Sequence, residues 1–241
     1  MPSLLECREA SVRDMLRTAS TVSPSMSASI SRWLGLLGAI GVLCVLALGF
    51  AIRSSGGRPM LIESWWHDLM LGWRSDAAVA AARVFEFLGS VPSVIVTTLG
   101  LVAVFLIIRR FRDALTLAAV MGVSEAITAA LKVAISRPRP ADSISDIGHM
   151  SFPSGHTAAA AALALTLALV LGRRLWAPAV AWVVLMGWSR TCLEAHWLGD
   201  VAAGAILGAS VALLVRWAVS AGERRLQRET ANPLAKTSDR R

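Results

Sequence analysis

"SFPSGHTAAA", residues 151–160, lies between two long apolar stretches and opens the second of them. A helix that begins here would present free backbone N–H groups at its positive end, where anions bind. Gly155 would let a ligand approach the backbone closely, because glycine has no side chain to block it. The stretch therefore predicts an anion-binding turn at the mouth of an apolar helix.

The chain around this turn is too apolar for an ordinary soluble domain. Of its 241 residues, 55% are hydrophobic and only 17% are charged. A helix needs about 20 apolar residues to cross the hydrocarbon core of a bilayer. Six stretches reach or approach that length: 33–52, 91–108, 114–135, 157–172, 177–192 and 199–219. The sequence predicts an all-α, polytopic membrane protein, built as a bundle of six transmembrane helices.

The distribution of positive charge predicts the orientation of this bundle. Most Lys and Arg residues fall in the two tails and in the short loops 109–113 and 173–174. Such an excess marks the cytoplasmic side of a membrane protein. Both termini are therefore predicted to be cytoplasmic, which agrees with an even number of spans. The net charge of +8 follows from this topology and does not indicate a nucleic-acid partner.

The remaining segments divide the chain into three parts. Residues 60–75 have a helical apolar stripe and predict an amphipathic helix that lies in the outer interface or packs against the bundle. Residues 1–31 predict a disordered cytoplasmic segment, residues 32–219 the membrane domain, and residues 220–241 a polar, basic cytoplasmic tail. The three cysteines are an odd number without metal-site spacing, so they predict no disulfide framework.

Three polar stretches that are distant in sequence all fall on the predicted outer side. They are "KVAISRPRP" at 132–140, "PSGH" at 153–156 and "SRTCLEAHWLGD" at 189–200. Together they supply three cations, two imidazoles and a carboxylate: Lys132, Arg139, Arg190, His156, His196 and Asp200. Cations around one point suit a dianion, and the fork of an arginine matches phosphate oxygens.

The two histidines add reactive groups to this predicted anion site. Histidine titrates near neutral pH and acts as a nucleophile or as an acid and base. Asp200 follows His196 by four residues, so on a regular helical turn it lies on the same face and can orient the ring. The set predicts phosphoryl transfer through a phosphohistidine, in which positioning and charge stabilisation do most of the work.

The three stretches resemble the motifs of the type 2 phosphatidic acid phosphatase superfamily, which also includes vanadium haloperoxidases and glucose-6-phosphatases. The resemblance covers about residues 85–219. It implies that His196 is the nucleophile, that Asp200 orients it, and that His156 protonates the leaving group and then activates water. It also implies a set of phosphate-binding residues and no metal or cofactor. That set is Lys132, Arg139, Ser154, Gly155 and Arg190.

The resemblance implies a membrane lipid phosphatase whose partners are its lipid phosphate substrate and the membrane. Undecaprenyl pyrophosphate is the first substrate to consider, followed by phosphatidic acid and phosphatidylglycerophosphate. Short loops suggest a bacterial inner-membrane protein whose site faces the periplasm. The alternatives are a phosphotransferase that uses another lipid or sugar as acceptor, a transporter, and an inactive binding protein. A transport site is expected near the bilayer midplane, whereas these polar groups gather at helix ends.

Further polar residues near the predicted site have alternative interpretations. Glu125 lies midway along the third span, where an ionisable residue is functional by default, and is either a hydrogen-bonded structural group or functional support. His149 borders the site and is a second candidate for support. A metal cluster of His149, His156, His196, Asp142 and Asp146 is disfavoured, because cations surround it.

Overall fold

The structure is a computed structural model that describes residues 24–145 and 148–231. Eight α-helices make up this part of the chain, with one 3₁₀ turn at Arg173–Leu175. The helices are α1 (Pro24–Ser54), α2 (Leu61–Trp73), α3 (Asp76–Leu88), α4 (Val91–Ile107), α5 (Phe111–Ile135), α6 (Gly155–Leu171), α7 (Trp176–Cys192) and α8 (Leu198–Ala231). Between residues 24 and 231, omitting 146–147, the β-structure is one isolated bridge, Pro138 to Met150. The predicted all-α class is confirmed.

Three helices contain segments long and apolar enough to cross a membrane. They are Arg32–Ser54 in α1, Phe111–Ile135 in α5 and Leu198–Arg225 in α8. α3 and α4 meet at a bend of 51° and together make a fourth candidate. α6 is apolar but has 17 residues, close to the lower limit of a span. The chain is an integral membrane protein, while six spans and cytoplasmic termini stay predictions.

The helix boundaries differ from the predicted ranges chiefly at the ends of the chain. α1 begins at Pro24, inside the segment predicted to be disordered, and residues 1–23 lie outside the described part. α8 continues to Ala231, past the predicted start of the polar tail, and residues 232–241 lie outside the described part. α3 was not predicted, although it contributes to the site.

α6 and α8 pack closely at the centre of the bundle. Gly204 and Gly208 of α8 make this contact possible. A Cβ atom at Gly204 would lie 2.5 Å from the Ser154 carbonyl oxygen, and one at Gly208 would lie 2.1 Å from the Ala158 carbonyl oxygen. Small residues let membrane helices approach backbone to backbone. The approach fixes the start of α8 beside the start of α6.

The loop before α6 is anchored in the main apolar core. Phe152 is completely buried there, and a Cβ atom at Gly49 of α1 would lie 3.0 Å from its Cε1 and 3.3 Å from Cδ1 of Ile135 in α5. Because the residue next to the "PSGH" turn belongs to the core, the turn is held at a fixed position relative to these helices. The end of the bundle at which α5 and α7 end and α6 and α8 begin is called the site end below.

α2 lies within the range predicted to be helical, residues 60–75. The side that it presents to the bundle includes a carboxylate. Leu61 and Trp73 are exposed, as is Trp65, whereas Glu63 is 1% exposed and Met70 is 4% exposed. Glu63 is thus buried although it lies off the apolar stripe of residues 60–75, so the stripe does not mark the packed face of α2. In lipid an apolar stripe need not face protein, so a buried polar group decides which side packs inward.

Candidate active site

A cavity of about 560 Å³ opens at the site end of the bundle. Its polar end is lined by residues of all three motifs: Lys132, Arg139, Gly155, His156 and His196. The rest of its wall comes mainly from apolar residues of α4 and α5, including Val94, Leu99 and Met121. The structure therefore brings both predicted histidines and two of the three predicted cations to one end of an otherwise largely apolar cavity.

His196 lies in the loop between α7 and α8 and is 2% exposed. Its Nδ1 lies 2.7 Å from the Ser151 carbonyl oxygen. Because a carbonyl can only accept, Nδ1 carries the proton and Nε2 keeps its lone pair. Nε2 lies 3.3 Å from Nη1 of Arg139. Burial, with a smaller effect of the positive Arg139, lowers the pKa of His196 to about 3, so the ring is neutral at physiological pH.

Asp200, at the start of α8, holds this arrangement less directly than the spacing suggests. Its Oδ2 lies 3.9 Å from Nδ1 of His196, farther than the Ser151 carbonyl. Oδ2 instead accepts the backbone N–H of Trp197 at 2.9 Å, and Oδ1 accepts Nη1 of Arg137 at 2.7 Å. Asp200 thus fixes the loop that carries His196 and places a negative charge beside the ring.

Arg137 and Glu63 continue this chain of contacts away from the cavity. The Arg137 guanidinium is fully buried and donates to both Glu63 carboxylate oxygens, at 2.7 Å and 3.0 Å. Glu63 also accepts the backbone N–H of Gly199 at 3.0 Å. Despite burial, the neighbouring Glu63 and Asp200 carboxylates raise the pKa of Arg137. Arg137 stands two residues before the motif arginine, Arg139, and no pattern in the sequence connects it with Glu63.

Backbone carbonyls hold the two cations of the cavity in place. Lys132 donates to the Met150 carbonyl at 3.2 Å, and Nη2 of Arg139 donates to the same oxygen at 3.0 Å. Arg139 also donates to the carbonyls of Gly148, at 2.7 Å, and Ala195. Burial and the nearby positive Arg190 lower the pKa of Arg139 to about 10. It remains charged at neutral pH, so this end of the cavity is electropositive.

Arg190 does not line the cavity but lies fully buried in α7. Its Nη2 donates to the Glu86 carboxylate at 2.9 Å and to the Ser145 hydroxyl at 3.0 Å. Its Nε and Nη1 have no hydrogen-bond partner among the described residues. Glu86 belongs to α3, the unpredicted helix, and no spacing in the sequence connects it with Arg190. Two donor nitrogens of Arg190 are therefore unpaired within the described part of the chain, and both are buried outside the cavity lining.

The residues of the "PSGH" turn differ in whether they face the cavity. The Ser154 N–H donates to the Asp200 carbonyl at 2.9 Å, and the Ser154 hydroxyl lies 3.1 Å from the Thr157 hydroxyl. Ser154 therefore supports the turn, and it does not line the cavity. Gly155 lines it, and no described residue accepts its N–H. Nε2 of His156 lies 3.2 Å from the Glu86 carbonyl oxygen, and no described residue hydrogen-bonds to its Nδ1.

The two residues predicted as possible support have different surroundings. Glu125 lines the cavity, below Lys132, whereas His149 is exposed and lies outside the cavity wall. Asp146, a member of the disfavoured metal cluster, lies outside the described residues. Within the described part of the chain, no three His, Cys, Asp or Glu side chains are grouped to hold a metal ion.

A second polar cluster joins α2 to the loop that carries His196. His67 Nδ1 lies 2.5 Å from Glu194, and its Nε2 lies 3.2 Å from Asp142. The His67 ring also packs against Trp197, with 5.3 Å between the ring centroids. Burial is the main reason that the pKa of Glu194 rises to about 7, against the opposing effect of His67. These contacts stabilise the loop from outside the cavity.

Comparisons with known proteins identify the family of this chain. Residues 113–224 match the family model of the PAP2 superfamily. A decaprenylphosphoryl-5-phosphoribose phosphatase of Mycobacterium tuberculosis is 34% identical over 123 residues, which cover 48% of this chain and 67% of the relative.

Two solved membrane proteins share the fold. The phosphatidylglycerolphosphate phosphatase of Bacillus subtilis, a transmembrane PAP2 type protein, has a TM-score of 0.64 at 22% identity, covering 78% of this chain and 96% of its own. LpxE of Aquifex aeolicus has a TM-score of 0.59 at 22% identity, covering 65% and 96%.

Proposed function

The chain belongs to the PAP2 superfamily, whose phosphatases hydrolyse phosphate esters, and from this premise we propose that it hydrolyses a lipid phosphomonoester or pyrophosphate through a phosphohistidine. The observation that carries the proposal is the cavity itself. One end presents His156, His196, Lys132 and Arg139, while the remaining wall is mostly apolar. A molecule that fills it has a phosphate at one end and a hydrocarbon tail at the other.

In the first step, His196 attacks the phosphorus atom with the Nε2 lone pair. The hydrogen bond from Nδ1 to the Ser151 carbonyl, at 2.7 Å, keeps that lone pair free. A new P–N bond forms while the P–O bond to the leaving group breaks. His156 enters this step protonated on both ring nitrogens, keeps the Nε2 proton on the Glu86 carbonyl, gives the Nδ1 proton to the departing oxygen and so becomes neutral. Lys132, Arg139 and the N–H of Gly155 bind the phosphoryl oxygens, and each such donor is worth about 3 kcal/mol in the transition state.

In the second step, His156 accepts a proton from water, whose oxygen attacks the phosphorus atom. The P–N bond then breaks, inorganic phosphate leaves, and His196 returns to its neutral form. Asp200 lies beside the ring, 3.9 Å from Nδ1, and its negative charge stabilises the positive charge that develops on His196 during attack. Arg190 does not line the cavity, and it supplies further positive charge at a distance.

We propose an isoprenoid-linked phosphate as the substrate. Undecaprenyl pyrophosphate is one such lipid, and the 34% identical relative is named for a decaprenyl-linked phosphoribose. Phosphatidic acid and phosphatidylglycerophosphate are the glycerolipid alternatives, and the second is the substrate named for the Bacillus subtilis protein. We assign the activity to residues 32–219 in a bacterial inner membrane, with the site end facing the periplasm.

The test is phosphate release from a short-chain prenyl phosphate by purified protein in detergent. His196→Ala and His156→Ala should abolish release at unchanged protein level, and near-normal turnover by either variant would remove that residue from its role. Release should persist in a chelator, because cationic side chains supply the positive charge; a strict requirement for a divalent ion would contradict the mechanism. A labelled substrate separates hydrolysis, which gives free phosphate, from transfer, which gives a labelled acceptor.

A further inference from the structure

The wall of the cavity carries a band of polar side chains below the phosphate-binding end. The members of this polar band lie on α4 and α5 and line the cavity: Thr98, Ser124, Glu125 and Thr128. The proposed phosphoryl-transfer mechanism uses none of them. Their neighbours in the wall, such as Val102, Ala118 and Met121, are apolar, so the band is a distinct feature of the cavity.

The polar band begins directly beneath the proposed phosphate site. A Cβ atom at Gly155 would lie 3.8 Å from Cγ2 of Thr128 and 4.0 Å from Cε of Lys132, so Thr128 flanks the turn that would hold the phosphate. Glu125 comes three residues earlier on α5, about 4.5 Å farther into the bundle. Thr98 reaches a similar depth from α4, which runs in the opposite direction. A ligand group bound by the polar band would therefore lie within a few ångströms of the phosphate.

The side chains of the polar band have no hydrogen-bond partners in the described part of the chain. The hydroxyls of Thr98, Ser124 and Thr128 are buried without a hydrogen-bond partner, and Ser124 and Thr128 are each 2% exposed. No hydrogen bond or ion pair joins Glu125 to another described residue. Unpaired polar groups in apolar surroundings are costly, and an ionisable residue inside a membrane helix marks a functional site by default. The band has the character of a binding site.

We propose that the polar band binds hydroxyl groups of the substrate, which is then a lipid whose phosphate is attached to a sugar or other polyol. Whether its carboxyl is ionised or protonated, Glu125 has at least one oxygen that only accepts hydrogen bonds, and that oxygen requires a donor on the ligand. Hydroxyl groups supply donors, and they also pair with the three serine and threonine hydroxyls. The ester carbonyls of a glycerolipid only accept and would leave Glu125 unpaired. This inference rests on the proposed function, because it names the molecule that the same site hydrolyses.

The test compares two substrates that differ only in hydroxyl groups. We suggest decyl ribofuranoside 5-phosphate and its 2,3-dideoxy counterpart, with phosphate release measured as kcat/KM. Wild-type protein should prefer the ribofuranoside by at least 10-fold. Glu125→Leu should lower kcat/KM for the ribofuranoside about 10- to 100-fold, as expected when hydroxyl groups of the bound substrate lose their partner. The same variant should change kcat/KM for the dideoxy substrate less than about 3-fold.

Two further variants make the result specific. Glu125→Gln keeps an acceptor oxygen and should restore part of the preference, which a purely structural role would not require. Val123→Ala changes a neighbouring α5 residue that is 42% exposed and outside the cavity wall, and should leave both substrates unaffected. Equal losses on the two substrates in Glu125→Leu and Glu125→Gln, or no hydroxyl preference in wild-type protein, would overturn the inference while the phosphatase proposal stands. If wild-type protein releases no more phosphate than His196→Ala from any lipid phosphate, the proposed function itself fails, and the inference with it.

Discussion

Breaking the buried ion pair between Glu63 and Arg137 should destabilise the protein strongly. Both Glu63 oxygens accept from the guanidinium, at 2.7 Å and 3.0 Å, and neither side chain is more than 1% exposed. Removing one partner of such a pair leaves an uncompensated buried charge and costs about 3–5 kcal/mol. For a protein of this size, we expect Glu63→Leu to lower the unfolding midpoint by about 6–20 °C.

Replacing both partners should recover part of the lost stability but none of the lost activity. Arg137→Met alone should cost at least as much as Glu63→Leu, because it leaves Asp200 as well as Glu63 without a cation. In the double variant the pair is gone and the two apolar side chains pack together, so the loss should be about 1–3 kcal/mol smaller than the sum of the single losses. Turnover should stay low, since Asp200 still lacks the guanidinium that holds it at 2.7 Å.

The assay follows thermal unfolding of wild type, both single variants and the double variant in one detergent, by the fluorescence of the protein's nine tryptophans. Phosphate release is measured on the same samples. The exposed pair Arg112–Glu223, 3.1 Å apart, provides a matched control cycle, whose coupling should stay below about 1 kcal/mol. Additive losses in the Glu63–Arg137 cycle would refute the coupling, and wild-type turnover in the double variant would refute the positioning role of Arg137.

Two other properties can be tested by substitution. Gly208→Ala should destabilise the protein by about 1–3 kcal/mol, because the added Cβ would lie 2.1 Å from the Ala158 carbonyl oxygen. Gly222→Ala is the control: no atom lies within 4 Å of the added Cβ, so this variant should be neutral or slightly stabilised. Equal unfolding midpoints of the two variants would contradict the close packing of α6 and α8. The pKa of His196, lowered to about 3 by burial, predicts that the unfolded chain binds a proton at this residue between pH 6.5 and 3 while the native protein does not, so the free energy of unfolding should fall with falling pH over that range. His196→Asn should flatten this fall, and an unchanged pH dependence of the unfolding midpoint would show that His196 is not buried as a neutral ring.

The site could be predicted from the sequence where local chemistry and helix ends determine it. Lys132, Arg139, His156 and His196 stand at or near the ends of apolar helices, and the structure places all four on one cavity. Arg190 shows the limit of this reasoning. It belongs to a motif, yet its contacts come from Glu86 and Ser145, which lie in an unpredicted helix and in a loop. No periodicity connects residues that meet only through the packing of the bundle.

The burial of Glu63 could not be predicted for a different reason, which concerns the solvent. In a soluble protein an apolar stripe identifies the buried face of a helix, because water covers the other face. At a membrane the stripe can face lipid, which is as apolar as a protein interior. The polar side chains then identify the protein side, since charged groups in such surroundings require partners or a water-filled cavity. Glu63 has Arg137 as its partner, and Glu125 lines the cavity. The same rule therefore locates the packed face of α2 and the cavity face of α5.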